Sequence, residues 1–137
     1  MAFTRENNVG NAIHSYTIGE IQIIQNTVSD GVIEAKLNPV TSNLIISPSA
    51  LIMNWIVGDL DEISDNSIQQ IVELQPEIVI LGVGAKMKLP SVKINLLFQN
   101  YNIGLEIMDT AAACRTYNFL LTEGRNVAAA LFQISPE

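Results

Sequence analysis

The chain has 137 residues, 48% of them hydrophobic and only 15% charged, and its formal net charge is −7. That length suits one domain with a full core, and the acidic balance argues against a nucleic-acid backbone or an anionic membrane surface as partner. A single cysteine, Cys114, excludes an internal disulfide and fits a reducing compartment, and a single histidine beside it argues against a structural zinc site.

Residues 1–12 contain no apolar h-region, so no secretory signal is read there. The polar run Arg5-Glu6-Asn7-Asn8 marks this stretch as a loose arm, leaving residues 13–137 as a single domain. The long apolar stretch 44–57 is interrupted by Ser47, Pro48, Ser49 and Asn54. None reaches the roughly 20 residues of a membrane span, and a cytoplasmic location is expected.

Short strands are predicted over residues 13–18 and 20–25, with Gly19 at the reversal. A third, over 31–36, is expected to end at the turn signal Asn38-Pro39. Residues 43–47 and 51–57 read as two further strands, the second carrying Trp55. This half reads as an antiparallel meander with short loops.

From Ile63 the period changes. Ser64 is placed as an N-cap, with Ile63 and Ile68 as a hydrophobic staple. Ile68, Ile71 and Val72 form the apolar stripe, and Pro76 stops the helix. Residues 78–81 are apolar throughout, as in a parallel strand covered on both faces. A second helix follows Pro90, with Ile94, Leu97, Phe98 and Tyr101 on one stripe and Gly104 as its left-handed terminus. A strand over 105–108, a helix from about Thr110 to Glu123 and a strand over 127–132 complete an α/β second half.

In such sheets ligands bind beyond the carboxyl ends of the parallel strands. Two ends carry distinctive residues, Gly82-Val83-Gly84 and Asp109-Thr110, which face one crevice if their strands are neighbours. A dinucleotide reading is disfavoured, because Met87 stands where the third glycine is needed and Pro90 delays the helix. Asp109 is more simply an N-cap than a general base. Ala111, Ala112, Ala113 and Cys114 allow close packing of the helix on the sheet, and Cys114 reads as a buried, unreactive packing residue. Asn118 is a poor mid-helix residue, so it is expected to satisfy a nearby polar group. Arg115 is expected to pair with Glu106 or Glu123, or to hold an anion. His14 and Trp55 default to packing or surface.

The run Met108-Asp109-Thr110-Ala111-Ala112-Ala113-Cys114-Arg115-Thr116-Tyr117-Asn118, with Gly82-Val83-Gly84, Gly104, Glu123-Gly124-Arg125 and Val127-Ala128-Ala129-Ala130, resembles a family of small domains of unknown function. Its members include a mitochondrial respiratory complex I assembly factor and an adipogenesis-associated Mth938-like domain protein. The resemblance implies an α/β fold with a mixed central sheet, an added β layer and helices, the last strand running antiparallel. It carries over no catalytic residues. Val83 departs from the Thr or Ser of many relatives, which weakens a phosphate-cradling role for that loop.

Two functions compete. The favoured one is a non-enzymatic binding or assembly-type protein without cofactor or metal, with a protein partner or a second copy of itself. The alternative is a small-molecule or anionic ligand site, enzymatic or not, at the crevice. In either case Gly82, Gly84, Asp109, Thr110, Arg115 and Asn118 are the candidate site residues.

Overall fold

The computed structural model describes residues 10–136, whose strands form two sheets; residues 44–46 and 51–52, expected in the meander, pair in the second sheet instead. Strands β1 (Gly10–Thr17), β2 (Glu20–Ser29) and β3 (Val32–Val40) make an antiparallel three-stranded meander. The second sheet contains β4 (Leu44–Ile46), β5 (Leu51–Ile52), β6 (Ile78–Gly82), β7 (Gly104–Met108) and β8 (Val127–Leu131) in the order β5-β4-β8-β6-β7. Helices α1 (Gln69–Glu73), α2 (Val92–Gln99) and α3 (Thr110–Thr122) complete the described elements with a 3-10 turn at Leu60–Glu62. This is the α/β architecture that the family resemblance implied, a mixed central sheet with an added β layer and helices.

The five-stranded sheet has a core on each face because successive strand residues alternate sides. Val79, Leu81, Ala128 and Ala130 face one way, into a core with Trp55, Ile68, Ile71, Ile94 and Phe98 from the α1 and α2 side. Ile80, Val127, Ala129 and Leu131 face the other way, toward Ala113, Cys114 and Tyr117 of α3 and toward Ile13, Ile21 and Ile23 of the meander. The first core also holds a ring contact. Trp55 stacks on Phe132 at 5.6 Å between ring centroids and donates its indole N–H to the Ser67 carbonyl at 2.9 Å.

Several local expectations are corrected. Strand β1 starts at Gly10, inside the stretch read as an arm, and residues 1–9 lie outside the described ones. Strand β3 runs through Asn38-Pro39 to Val40, because proline is tolerated on an edge strand. Ser64 caps no helix; it exchanges hydrogen bonds with Ser67 across a turn, and α1 begins only at Gln69. Of residues 51–57, only Leu51–Ile52 forms a strand. The left-handed residue after α2 is Asn102 (φ 59°), while Gly104 opens β7. The last strand is central and runs parallel to β6; the strand antiparallel to its neighbours is β4. A central β8 follows from its Val-Ala-Ala-Ala-Leu sequence, buried at every position.

The small residues of α3 act where they were expected to. A Cβ placed on Gly82 would stand 3.0 Å from Ala113 Cβ, 3.0 Å from Thr110 Oγ1 and 2.9 Å from Leu131 Cδ2. Ala113 is fully buried there, whereas Ala112 is half-buried. Ala113→Leu should therefore overpack the interface and cost about 1–3 kcal/mol, read as a lower urea midpoint at unchanged slope. Thr122→Leu, on the exposed face of the same helix, should stay within about 0.5 kcal/mol of wild type. Equal midpoints for the two variants would contradict the close approach.

Candidate functional site

Strands β6 and β7 are parallel neighbours, with Gly82 opposite Met108, so the two distinctive strand ends do meet. They meet by bonding to each other. Val83 N–H donates to the Met108 carbonyl at 3.0 Å, and Thr110 N–H to the Gly84 carbonyl at 2.9 Å. Gly84 N–H donates to Thr110 Oγ1 at 2.9 Å, and the buried Thr110 hydroxyl donates to the Phe132 carbonyl at 2.8 Å. Gly84 holds φ at +105°, a conformation that L side chains rarely adopt, and this lets the chain leave β6 while both its amide groups stay bonded.

Asp109 caps α3, its Oδ1 accepting from Ala112 N–H at 2.8 Å and its carbonyl from Ala113 N–H at 2.9 Å. The Val83, Gly84, Thr110 and Ala112 amides at this strand end are bonded within the chain and so are not open to an anion. Gly82, Gly84, Asp109 and Thr110 are thus brought together as an internally satisfied knot. Arg115 and Asn118 lie further along α3, on the side facing the meander.

Asn118 uses its whole carboxamide on one residue of β1. Oδ1 accepts from Ile13 N–H at 2.9 Å and Nδ2 donates to the Ile13 carbonyl at 2.8 Å. One residue on, the β1–β2 register shifts around His14, which is exposed. Tyr117 is buried and donates its hydroxyl to the Asn11 carbonyl at 2.7 Å, and burial pushes its pKa well above the ordinary range. Arg115 reaches the Tyr16 hydroxyl at 2.8 Å rather than Glu106 or Glu123. Cys114 is buried, and desolvation pushes its thiol up to about 12 despite the opposing pull of Arg115.

Sequence reading missed a surface that contains no unusual residue type. Leaving Gly84, residues 85–89 are all exposed, and Leu89 retains 85% of its accessible surface. Val92 (72% exposed) and Leu96 follow on α2, one turn apart and off the stripe formed by the buried Ile94 and Phe98. The alternation Lys86-Met87-Lys88-Leu89 was the available signal. Among the described residues, no group of three or more His, Cys, Asp or Glu side chains could hold a metal ion.

The two-sheet arrangement closed by α3 defines a Mth938-like fold. It is similar to the solution structure of a Bordetella pertussis protein described as a Mth938-like domain, with a TM-score of 0.69 at 23% identity over 93% of this chain and 88% of that one. A solution structure of a Xanthomonas campestris protein matches with a TM-score of 0.74 at 26% identity, over 96% of this chain and 90% of that one. The chain belongs to the family described as "Protein of unknown function (DUF498/DUF598)", which matches residues 13–132. Among named relatives, the NADH dehydrogenase [ubiquinone] 1 alpha subcomplex assembly factor 3 of Danio rerio is 31% identical over 126 residues, 85% of this chain and 72% of its own length.

The state of Cys114 sets a pH dependence. Its folded-state pKa is raised above the ordinary 9.0, so its contribution is fully present below pH 9 and is lost as pH rises toward about 12. Urea midpoints should fall above about pH 9, with a shallower fall in Cys114→Ala. Thiol labelling of the native protein at neutral pH should be slow and should accelerate on unfolding. Fast stoichiometric labelling of the folded chain would contradict the burial.

Proposed function

We propose that this chain is a non-enzymatic, assembly-type binding protein that presents the segment from Gly84 through α2 to a protein partner. The observation that carries the reading is the contrast at the carboxyl end of β6. Its polar groups are bonded internally, while Met87, Leu89, Val92 and Leu96 stand in solvent. Covering a large apolar side chain contributes about 1.5–3 kcal/mol, so this segment favours a partner over water. Exposed Lys88 and Lys93 lie among these side chains on a chain of net charge −7. They suit a partner surface that is apolar with acidic groups around it.

In this reading Gly82, Gly84, Asp109 and Thr110 fix the stem from which the binding segment leaves. Asn118 holds α3 to the meander, and Arg115, with the exposed Phe119 one turn later, offers a subsidiary contact. The relatives named as complex I assembly factor 3 support an assembly-type role, and by analogy the partner is a protein subunit awaiting incorporation into a larger complex. Among the described residues no helix is long and apolar enough to cross a membrane. We place the chain in the cytoplasm, with the residues from Gly10 onward acting as one domain. The bonded state of the Gly84 and Ala112 amides weighs against an anionic ligand as the alternative.

Crosslinked affinity capture from the native cell tests this. The double variant Leu89→Ser/Val92→Ser should lose a specific partner at least tenfold while its urea midpoint stays near wild type, since both side chains are exposed. Capture unchanged by the double variant would overturn the proposed surface. Loss with Arg115→Ala alone would move it to α3.

A further inference from the structure

The two edges of the meander are treated differently. Strand β1 is covered by α3, and Asn118 takes both backbone groups of Ile13. Strand β3 is the other edge, and among the described residues no strand pairs with its outer side. At its base Gln133 Nε2 donates to the Val40 carbonyl at 2.9 Å, but from Val32 to Leu37 every residue is exposed. Such an edge is a template for another strand, and natural proteins usually blunt it with charges, proline or bulges. Here Pro39 lies near the base, beyond the exposed run, and Lys36 is the one cation within the strand.

The edge is self-complementary. Two copies of β3 related by a two-fold axis through Ala35 would set Glu34 opposite Lys36, Ile33 opposite Leu37 and Val32 opposite Asn38, each pair occurring twice. The register is selective. Keeping like faces of the two sheets together allows slips of two residues in the sum of paired numbers. One such slip opposes Glu34 to Glu34 and the other opposes Lys36 to Lys36, and like charges directly opposite are destabilising. Within its own hairpin Glu34 stands opposite Thr27 and Lys36 opposite Gln25, so the alternating charges find no opposite charge across β2.

The same register joins apolar surface. Ile33 (41% exposed) and Leu37 (50% exposed) lie on the sheet face turned away from the core, opposite Val28 and Ile24 of β2. Pairing brings Ile33 of one copy against Leu37 of the other, so two short strips merge into one that crosses the axis.

We propose that β3 is a homodimer interface, through which two copies of this chain join their meanders into one continuous six-stranded sheet. This surface is separate from the binding segment at α2, and neither depends on the other.

Sedimentation equilibrium of the full chain over a wide concentration range tests it. Wild type should reach a mass about twice 15.0 kDa. Lys36→Glu, which sets carboxylates against each other, should weaken the dimer at least tenfold. The charge-exchanged Glu34→Lys/Lys36→Glu chain should restore it, because each pair regains opposite signs. A wild type that stays monomeric, a dimer indifferent to Lys36→Glu, or an exchanged chain that remains weak would each overturn the proposal. Hydrogen exchange on the unmodified chain supplies a readout free of any folding defect. Amides within residues 32–38 should become protected as concentration rises, and concentration-independent exchange there would overturn the pairing.

Discussion

One side chain of helix α3 does the work of a strand. The carboxamide of Asn118 offers an acceptor and a donor to the N–H and carbonyl of Ile13, so β1 keeps its edge groups bonded where no further strand follows. The rest of the structure depends on this contact because α3 belongs to both sheets. One face lies so close to β6 and β8 that only Gly82 fits beneath Ala113, and the next holds the meander. Tyr117, between them, buries its ring in the shared core and bonds Asn11 of β1. A second tie lies at the far end of β1, where Gly19 N–H donates to the Ile134 carbonyl at 2.9 Å.

This arrangement explains why residues that look like a site serve the fold. Alanines after a cap, glycines after a parallel strand and a mid-helix asparagine are what a ligand crevice would use. Here each meets a constraint within the chain. Gly84 and Thr110 answer each other across the strand ends, Asp109 caps, and Asn118 pairs with backbone. What remains for function is surface, and much of the exposed apolar surface stands on the segment from Gly84 into α2 and on the hairpin of β2 and β3, with Ile56 and Phe119 exposed elsewhere.

Much of this was legible before the structure. The uninterrupted apolar run Ile78 to Leu81 announced a strand covered on both faces, and Asp109 marked the start of α3 to the residue. The co-location of Gly82 with Asp109 was expected only if their strands were neighbours, a condition that the pairing of β6 with β7 meets. What failed depended on partners distant in sequence or on neighbouring side chains. Ser64 looked like a cap, yet Ser67 was close enough to bond with it first. Pro39 looked like a terminator because edge position is a tertiary property. The direction of β8 is set by pairing with β4 and β6, which the resemblance alone assigned wrongly. That the strand-end donors would be satisfied internally turned on a Thr110 hydroxyl bonded to Gly84, 26 positions earlier.

The most direct test of this account is Asn118→Leu, followed by equilibrium urea unfolding and native-state hydrogen exchange. Leucine is the better helix former, by up to about 0.7 kcal/mol, and on helix propensity alone the variant should gain stability. If the carboxamide holds the sheets together, the Ile13 groups lose their partner at about 1–3 kcal/mol each. The account predicts a net loss of roughly 2 kcal/mol or more, with exchange at the Ile13 amide accelerated and the amides of β8 still protected. A variant as stable as wild type, with Ile13 exchange unchanged, would contradict it.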